Sequence, residues 1–168
     1  ARRLFEAVDA EPAVKDESGY SIVENRSWNI EFSNITFAYP AQSTPALQGV
    51  NFTVPDGKAF AIVGPSGAGK STIANLLLRF WDYQGGDIRL GKISLKALNP
   101  DEVRARIALV SQNSYFFNTS IRENLRLARR GVRPEEIEQA ARAPQIQDFV
   151  MNLPQGYGKL IGEQGLRL

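Results

Sequence analysis

The chain has 168 residues, enough for one domain with a sizeable core, and its 20 Lys and Arg against 18 Asp and Glu leave a net charge of +2. The basic residues are scattered with no clustered face, which argues against nucleic acid as a partner. With neither cysteine nor histidine, disulfides, thiol chemistry and imidazole bases are excluded, and any bound metal must be held by oxygen.

No apolar run is long enough to cross a bilayer, and residues 1–9 lack the apolar core of a signal peptide. Leu4, Phe5 and Val8 fit the last turns of an amphipathic helix stopped near Pro12. Residues 14–27 are polar and read as a linker. From Trp28 the character alternates through Ile30 and Phe32, slips phase at Ser33 and Asn34, and resumes with Ile35, Phe37 and Tyr39. Alternation predicts half-buried strands, and the slip predicts a bulge or tight bend. A loop over 40–45 leads to a further alternating strand with Val50, Phe52 and Val54, closed by the turn Pro55-Asp56-Gly57.

Residues 59–63 form an unbroken apolar run of strand length, the pattern of a parallel strand covered on both faces. Residues 64–71 then spell G-x-x-x-x-G-K-S, and Ile73, Leu76, Leu77 and Phe80 fall on one stripe of a helix. Strand, glycine-rich loop and helix together make a phosphate-binding loop. Gly64, Gly67 and Gly69 permit positive φ and close backbone approach, with Pro65, Ser66 and Ala68 between them, so that successive N–H groups converge on an anion at the positive end of the helix. Lys70 reaches the terminal phosphates, the Ser71 hydroxyl suits the accompanying magnesium, and Thr72 is a further phosphate contact.

Beyond the helix, residues 82–86 read as a turn and 87–90 as a short strand, with 93–95 able to pair nearby. Asn99 or Asp101 can cap a helix over 101–106, and 107–110 reads as another buried strand leading to Ser111 and Gln112. The remainder is helical in pattern. Ser120 or Thr119 can cap 121–127 with Glu123 placed for a capping box, Pro134 opens a helix to about Ala143, Pro144 interrupts, 146–153 forms another, and 156–165 is a glycine-rich loop.

Taken together, these residues resemble the nucleotide-binding domain of an ABC transporter, most closely the exporter type in which membrane helices precede the ATPase. FAYP, with Tyr39 lying 25 residues before Gly64, is similar to the A-loop whose aromatic ring stacks on adenine. LVSQ, ending at Gln112, is similar to the Q-loop, whose carboxamide oxygen serves magnesium or the attacking water, and FFNTSIRENL resembles the segment that follows it. The tail LPQGYGKLIGEQGLRL resembles the approach to the signature motif, with Glu163 in the position of the x-loop that touches the membrane domain. Pro144 and the pair Gly91-Lys92 depart from the family pattern without touching the chemistry.

The resemblance implies an α/β fold: a P-loop NTPase (RecA-like) core with an N-terminal antiparallel β subdomain and part of an α-helical subdomain, truncated. Residues 1–27 are expected to be a helix end and linker from a preceding transmembrane domain, 28–112 the antiparallel and P-loop core, and 113–168 the helical portion. ATP and Mg2+ are the implied cofactors, with Lys70 and Gln112 in the catalytic roles and Ser71 and Gln112 at the metal. The implied partners are a second ABC nucleotide-binding domain and the coupling helices of a transmembrane domain, met through the Gln112 region and the Glu163 loop. The implied location is the cytoplasmic face of a membrane, the bacterial plasma membrane in particular. In the family the next residues read Ser-Gly-Gly-Gln, followed by a strand ending in an aspartate and a general-base glutamate, then a histidine. The 168-residue piece holds none of these, so it is expected at most to bind nucleotide and to turn over negligibly alone. A binding-only domain of an asymmetric transporter and a soluble, non-transport ABC ATPase are the alternatives. A nucleotide kinase or small GTPase fits less well, given the antiparallel strands carrying Tyr39 and the helical stretch after Gln112.

Overall fold

In the computed structural model the described residues are 14, 27–40, 42–112, 115–129 and 131–162. The expected helix end at Leu4, Phe5 and Val8, nearly all of the linker and the loop carrying Glu163 lie outside them. The chain divides into two compact units, residues 1–109 and 110–168.

The first unit is built on an antiparallel sheet in the order β2-β1-β3-β4, with β1 at Ile30–Phe37, β2 at Leu47–Val54, β3 at Gly85–Leu90 and β4 at Ile93–Ser94. The phase slip at Ser33 and Asn34 is a bulge within one continuous strand. Pairing with β2 jumps from Phe32 opposite Phe52 to Ile35 opposite Val50, and pairing with β3 jumps from Ser33 opposite Asp87 to Thr36 opposite Gly85. The extra residue, Asn34 at φ 53, lets Phe32, Ile35 and Phe37 all enter one core. Gly86 lies across the bulge at φ 84, where a Cβ would sit 2.3 Å from the Ser33 carbonyl oxygen and 2.4 Å from that of Asn34. Only glycine fits there.

Helix α1, Lys70–Leu77, packs Leu76 and Thr72 inward, with Ile73 and Leu77 half-buried against the same core. The expected stripe extends to Phe80, but the helix stops at Leu77 and Phe80 is exposed. The cause is Arg79, which takes φ 55 while the N–H of Arg79 bonds the Leu76 carbonyl and that of Phe80 the Asn75 carbonyl, the pattern that normally ends a helix at glycine. Its buried guanidinium donates to the Leu95 carbonyl at 2.7 Å and pairs with Asp82 at 3.0 Å, so a tertiary tie fixes the helix end. A 3-10 turn at Leu95–Ala97 and helix α2, Pro100–Arg104, complete the core with Leu95, Leu98 and Val103. Asn99, rather than Asp101, is the cap, accepting from the N–H groups of Asp101 and Glu102 at 2.9 and 3.2 Å.

Two expected strands differ. Residues 59–63 and 107–110 form no strand, and among the described residues nothing pairs with them as a ladder. Phe60, Ile62, Val63, Leu109 and Val110 are exposed, Val63 and Val110 at 89% and 91%. A run apolar on both faces becomes a strand only between parallel neighbours, and the described residues supply none. Phe60 instead stacks on Phe52 at 5.1 Å, extending the Phe32–Phe52 stack at 4.4 Å.

The second unit gathers α3, Ile121–Arg126, α4, Pro134–Arg142, α5, Gln147–Asn152, and a 3-10 turn at Gly156–Gly158 around Ile121, Ile137, Val150, Tyr157 and Ile161. Ser120, not Thr119, caps α3, its hydroxyl accepting from the Glu123 N–H at 3.2 Å. Pro134 stands at the start of α4 as expected. Strand-like bonds from Ile121 N–H to Lys159 and from Ile161 N–H to Thr119, both 3.0 Å, close the unit.

Candidate functional site

The phosphate-loop residues fold as a turn that closes onto α1. The Ala68 N–H donates to the Pro65 carbonyl at 3.3 Å, and Gly67 and Gly69 take the left-handed φ values 81 and 83. Gly69 caps α1 without a side chain, and the first turn carries no acidic residue, so the positive end of the helix is left for an outside acceptor. A Cβ on Gly69 would approach the Ala46 carbonyl oxygen to 2.6 Å and Leu47 Cδ2 to 2.7 Å. The third glycine therefore seats the loop against the start of β2.

Residues 64–68 are exposed, as is Ser71, while Thr72 is buried. Lys70 curls back over the loop, its ammonium donating to the carbonyl oxygens of Gly64 at 2.9 Å and Pro65 at 2.6 Å. Two neutral main-chain acceptors hold a full positive charge there, and a phosphate oxygen is a stronger acceptor than either.

Tyr39 lies alongside. Its ring meets Phe37 edge-on at 4.8 Å and Trp81 edge-on at 5.6 Å, and its hydroxyl lies 3.2 Å from the Thr72 hydroxyl and 3.3 Å from the Asn75 amide nitrogen, which donates to it. The first unit thus brings Tyr39, Gly64, Pro65, Ser66, Gly67, Ala68, Gly69, Lys70, Ser71 and Thr72 to one end of α1. Gln112 is an exposed bend residue of the second unit, and Glu163 lies outside the described residues. Asn75, which bonds the Tyr39 hydroxyl, and Gln84, which bonds the main chain of the preceding Ala38, escape sequence reasoning because they meet these partners across 36 and 46 positions. The only sequence signal is that Asn75 follows Thr72 by three positions and so shares its helix face.

Among the described residues no three acidic or imidazole side chains cluster as a metal cage. The available donors are neutral hydroxyl and carboxamide oxygens, which suit a magnesium that arrives on phosphate oxygens and retains water. A larger apolar groove of about 560 Å³ in the second unit, lined by Leu125, Val132, Ile137 and Ile146, holds the Arg129–Glu136 ion pair. Its lining is mostly apolar and lacks the glycine-rich turn that suits a triphosphate.

The sequence profile described as ABC transporter matches residues 47–161. The chain belongs to the ABC transporter family. It is 40% identical over 166 residues to the ATP-dependent lipid A-core flippase of Escherichia coli (strain K12), a match that covers 98% of this chain and 28% of that protein. The flippase of the same description from Shigella flexneri matches with the same identity and the same shares. A bacterial Atm1-family ABC exporter solved with ATP bound superposes with a TM-score of 0.90 at 36% identity, covering 99% of this chain and 29% of that one. This ABC chain therefore spans about 28% of the length of the curated relatives it matches. The expected fold holds: a P-loop NTPase domain with an antiparallel subdomain and helices, of the exporter type. Among the described residues no helix is long and apolar enough to cross a membrane.

Proposed function

We propose that this ABC domain binds magnesium-ATP on residues 64–72, with the adenine on Tyr39, and that the whole protein uses ATP binding and hydrolysis to drive export. One observation carries the reading. The Lys70 ammonium sits over an exposed glycine turn at an uncapped helix start, where among the described residues the carbonyls of Gly64 and Pro65 hold it. The amides of Gly67, Ala68, Gly69 and Lys70 together with the Lys70 ammonium bind and orient the phosphates, and the Thr72 hydroxyl adds a contact at the helix side. Ser71 would hold magnesium, which when bound neutralises charge on the terminal phosphates. The Q-loop resemblance is what gives Gln112 its role toward magnesium. Gln112 also orients the attacking water.

The organisation that goes with this reading is a helix end and linker from a preceding transmembrane domain over 1–27, the antiparallel and P-loop core over 28–112 and a helical portion over 113–168. A second ABC domain closes the nucleotide site. The Gln112 region and the Glu163 loop face the coupling helices of a membrane domain, and the domain lies on the cytoplasmic side of a bacterial plasma membrane. Residues 1–168 contain no histidine and no four-residue apolar strand ending in Asp-Glu, so these residues bind without turning over. Phosphate release by them at exporter-like rates would refute that.

Titration calorimetry tests the binding itself. Lys70→Ala weakens magnesium-ATP affinity at least about tenfold, the equivalent of about 1.4 kcal/mol, while the fold is retained. Unchanged affinity removes Lys70 from the site and the proposal with it.

A further inference from the structure

Tyr39 lies beyond the last paired residue of β1, Phe37 opposite Leu47, so the sheet ladder does not fix it. Beyond its contacts with Thr72, Phe37 and Trp81, two side chains with no assigned role bear on where it stands. The Gln84 carboxamide takes both main-chain groups of the preceding residue: its oxygen accepts from the Ala38 N–H at 2.9 Å, and its nitrogen donates to the Ala38 carbonyl at 3.1 Å. The Gln84 main-chain N–H donates to Thr36 at 3.1 Å, which ties the clamp to the body of β1. A carboxamide is the side chain that can donate and accept at once in this way, so Gln84 stands in for a missing strand neighbour.

At the far end of the ring, the Tyr39 hydroxyl is gripped by Asn75 and Thr72 on α1, the helix that begins at Lys70. The ring borders an open cavity of about 450 Å³, also lined by Phe37, Trp81 and Gln84. There is room beside it for a heteroaromatic ring. The Gln84 carboxamide is occupied by Ala38 and does not read that ring; it sets where the platform stands.

We propose that Gln84 and Asn75 are positioning residues that hold Tyr39 as a purine platform in fixed register with the phosphate loop. The clamp acts on the base-dependent share of affinity and leaves the phosphate-dependent share alone. This rests on the nucleotide reading above, and a pair of probes keeps the two apart: magnesium-ATP, and magnesium tripolyphosphate, which presents the phosphates without a base.

The measurement uses the full chain with Trp28→Phe, so that Trp81, 5.6 Å from the Tyr39 ring, is the single tryptophan. Gln84→Ala and Asn75→Ala each weaken ATP binding about fivefold, the scale of one or two lost hydrogen bonds, and leave tripolyphosphate binding unchanged within about twofold. The ATP-induced change in Trp81 fluorescence shrinks in both. Gln84→Glu, which sets a carboxylate oxygen against the Ala38 carbonyl in place of the donor, loses at least as much ATP affinity as Gln84→Ala. Asn75→Ala adds nothing further in a Tyr39→Phe background. Gln84→Glu and Tyr39→Phe are near-isosteric and carry the test if an alanine variant fails to fold. Parallel loss of both probes, or no loss of either, overturns the positioning role while leaving the phosphate site standing. A wild-type chain that binds neither probe overturns both proposals.

Discussion

Gly86→Ala probes the step that connects the sequence to the site, because the bulge it faces is what carries β1 on toward Tyr39. The new Cβ would lie 2.3 and 2.4 Å from two main-chain oxygens, and those oxygens must retreat by roughly 1 Å to reach van der Waals distance. Neither belongs to a flexible side chain. The alanine must also hold φ 84, which costs about 1–2 kcal/mol. Retreat of the Ser33 and Asn34 carbonyls disrupts the neighbouring rungs between β1 and β3, at about 1 kcal/mol for each hydrogen bond lost. The expected destabilisation is about 3–4 kcal/mol in total. Gly57→Ala is the control: its φ is 69 and nothing lies within 4 Å of the added atom, so only the left-handed backbone cost of about 1 kcal/mol applies. Urea titrations followed by Trp81 fluorescence, with slopes compared to exclude a change in the denatured state, give both numbers. Equal destabilisation of the two variants would refute the close approach across the bulge, and with it the explanation of the phase slip.

Other expectations are open to simpler measurements. Asn99→Ala removes the acceptor for the N–H groups of Asp101 and Glu102 and lowers stability by about 1 kcal/mol, whereas Asn99→Asp keeps an acceptor and stays close to wild type in the same urea titration. The Arg133 main-chain N–H, and then the Arg129 guanidinium, hold the Glu136 carboxyl at about 2, below its ordinary 4.5. Because the folded value is the depressed one, the stabilisation is complete above about pH 4.5 and disappears as pH falls through about 2. Glu136→Gln therefore melts below wild type at neutral pH, and the gap closes over that window; a pH-independent gap contradicts the ion pair. The exposed Phe60, Ile62, Val63, Leu109 and Val110 predict strong binding of a hydrophobic dye by residues 1–168, reduced by Val63→Ser with Val110→Ser. Dye fluorescence unaffected by that pair of changes contradicts the exposure.

Local physics made much of the molecule legible. Period-two alternation located β1 and β2, and the break at Ser33 and Asn34 marked the bulge, because a one-residue slip is visible wherever one face is buried. The glycine spacing and Lys70 located the loop, since the backbone conformations it requires exclude most other residues. What stayed hidden was decided at long range. The apolar stripe through Phe80 looked continuous, but Arg79 ends the helix using partners at Leu95 and Asp82 that no local window contains. Asn99 and Asp101 were equally good caps on propensity, and the geometry chose Asn99. The runs at 59–63 and 107–110 have strand composition, yet composition supplies only half of a ladder. The side chains that orient Tyr39 look like ordinary surface polar residues until the fold brings them together.

The loop's supports explain why it keeps its shape although residues 59–63 have no ladder partner among the described residues. Three ties hold it from the opposite side. Gly69 abuts Ala46 and Leu47 at the start of β2, the Tyr39 hydroxyl bonds Thr72 and Asn75, and Leu76 is fully buried in the core of the antiparallel sheet. Burial of one leucine stabilises by about 1.5–3 kcal/mol, more than either hydroxyl contact, so the helix is anchored chiefly by packing into that core. The antiparallel unit presents the glycine turn, the ammonium and the aromatic ring together, whereas a water-splitting step needs groups that these elements do not contain.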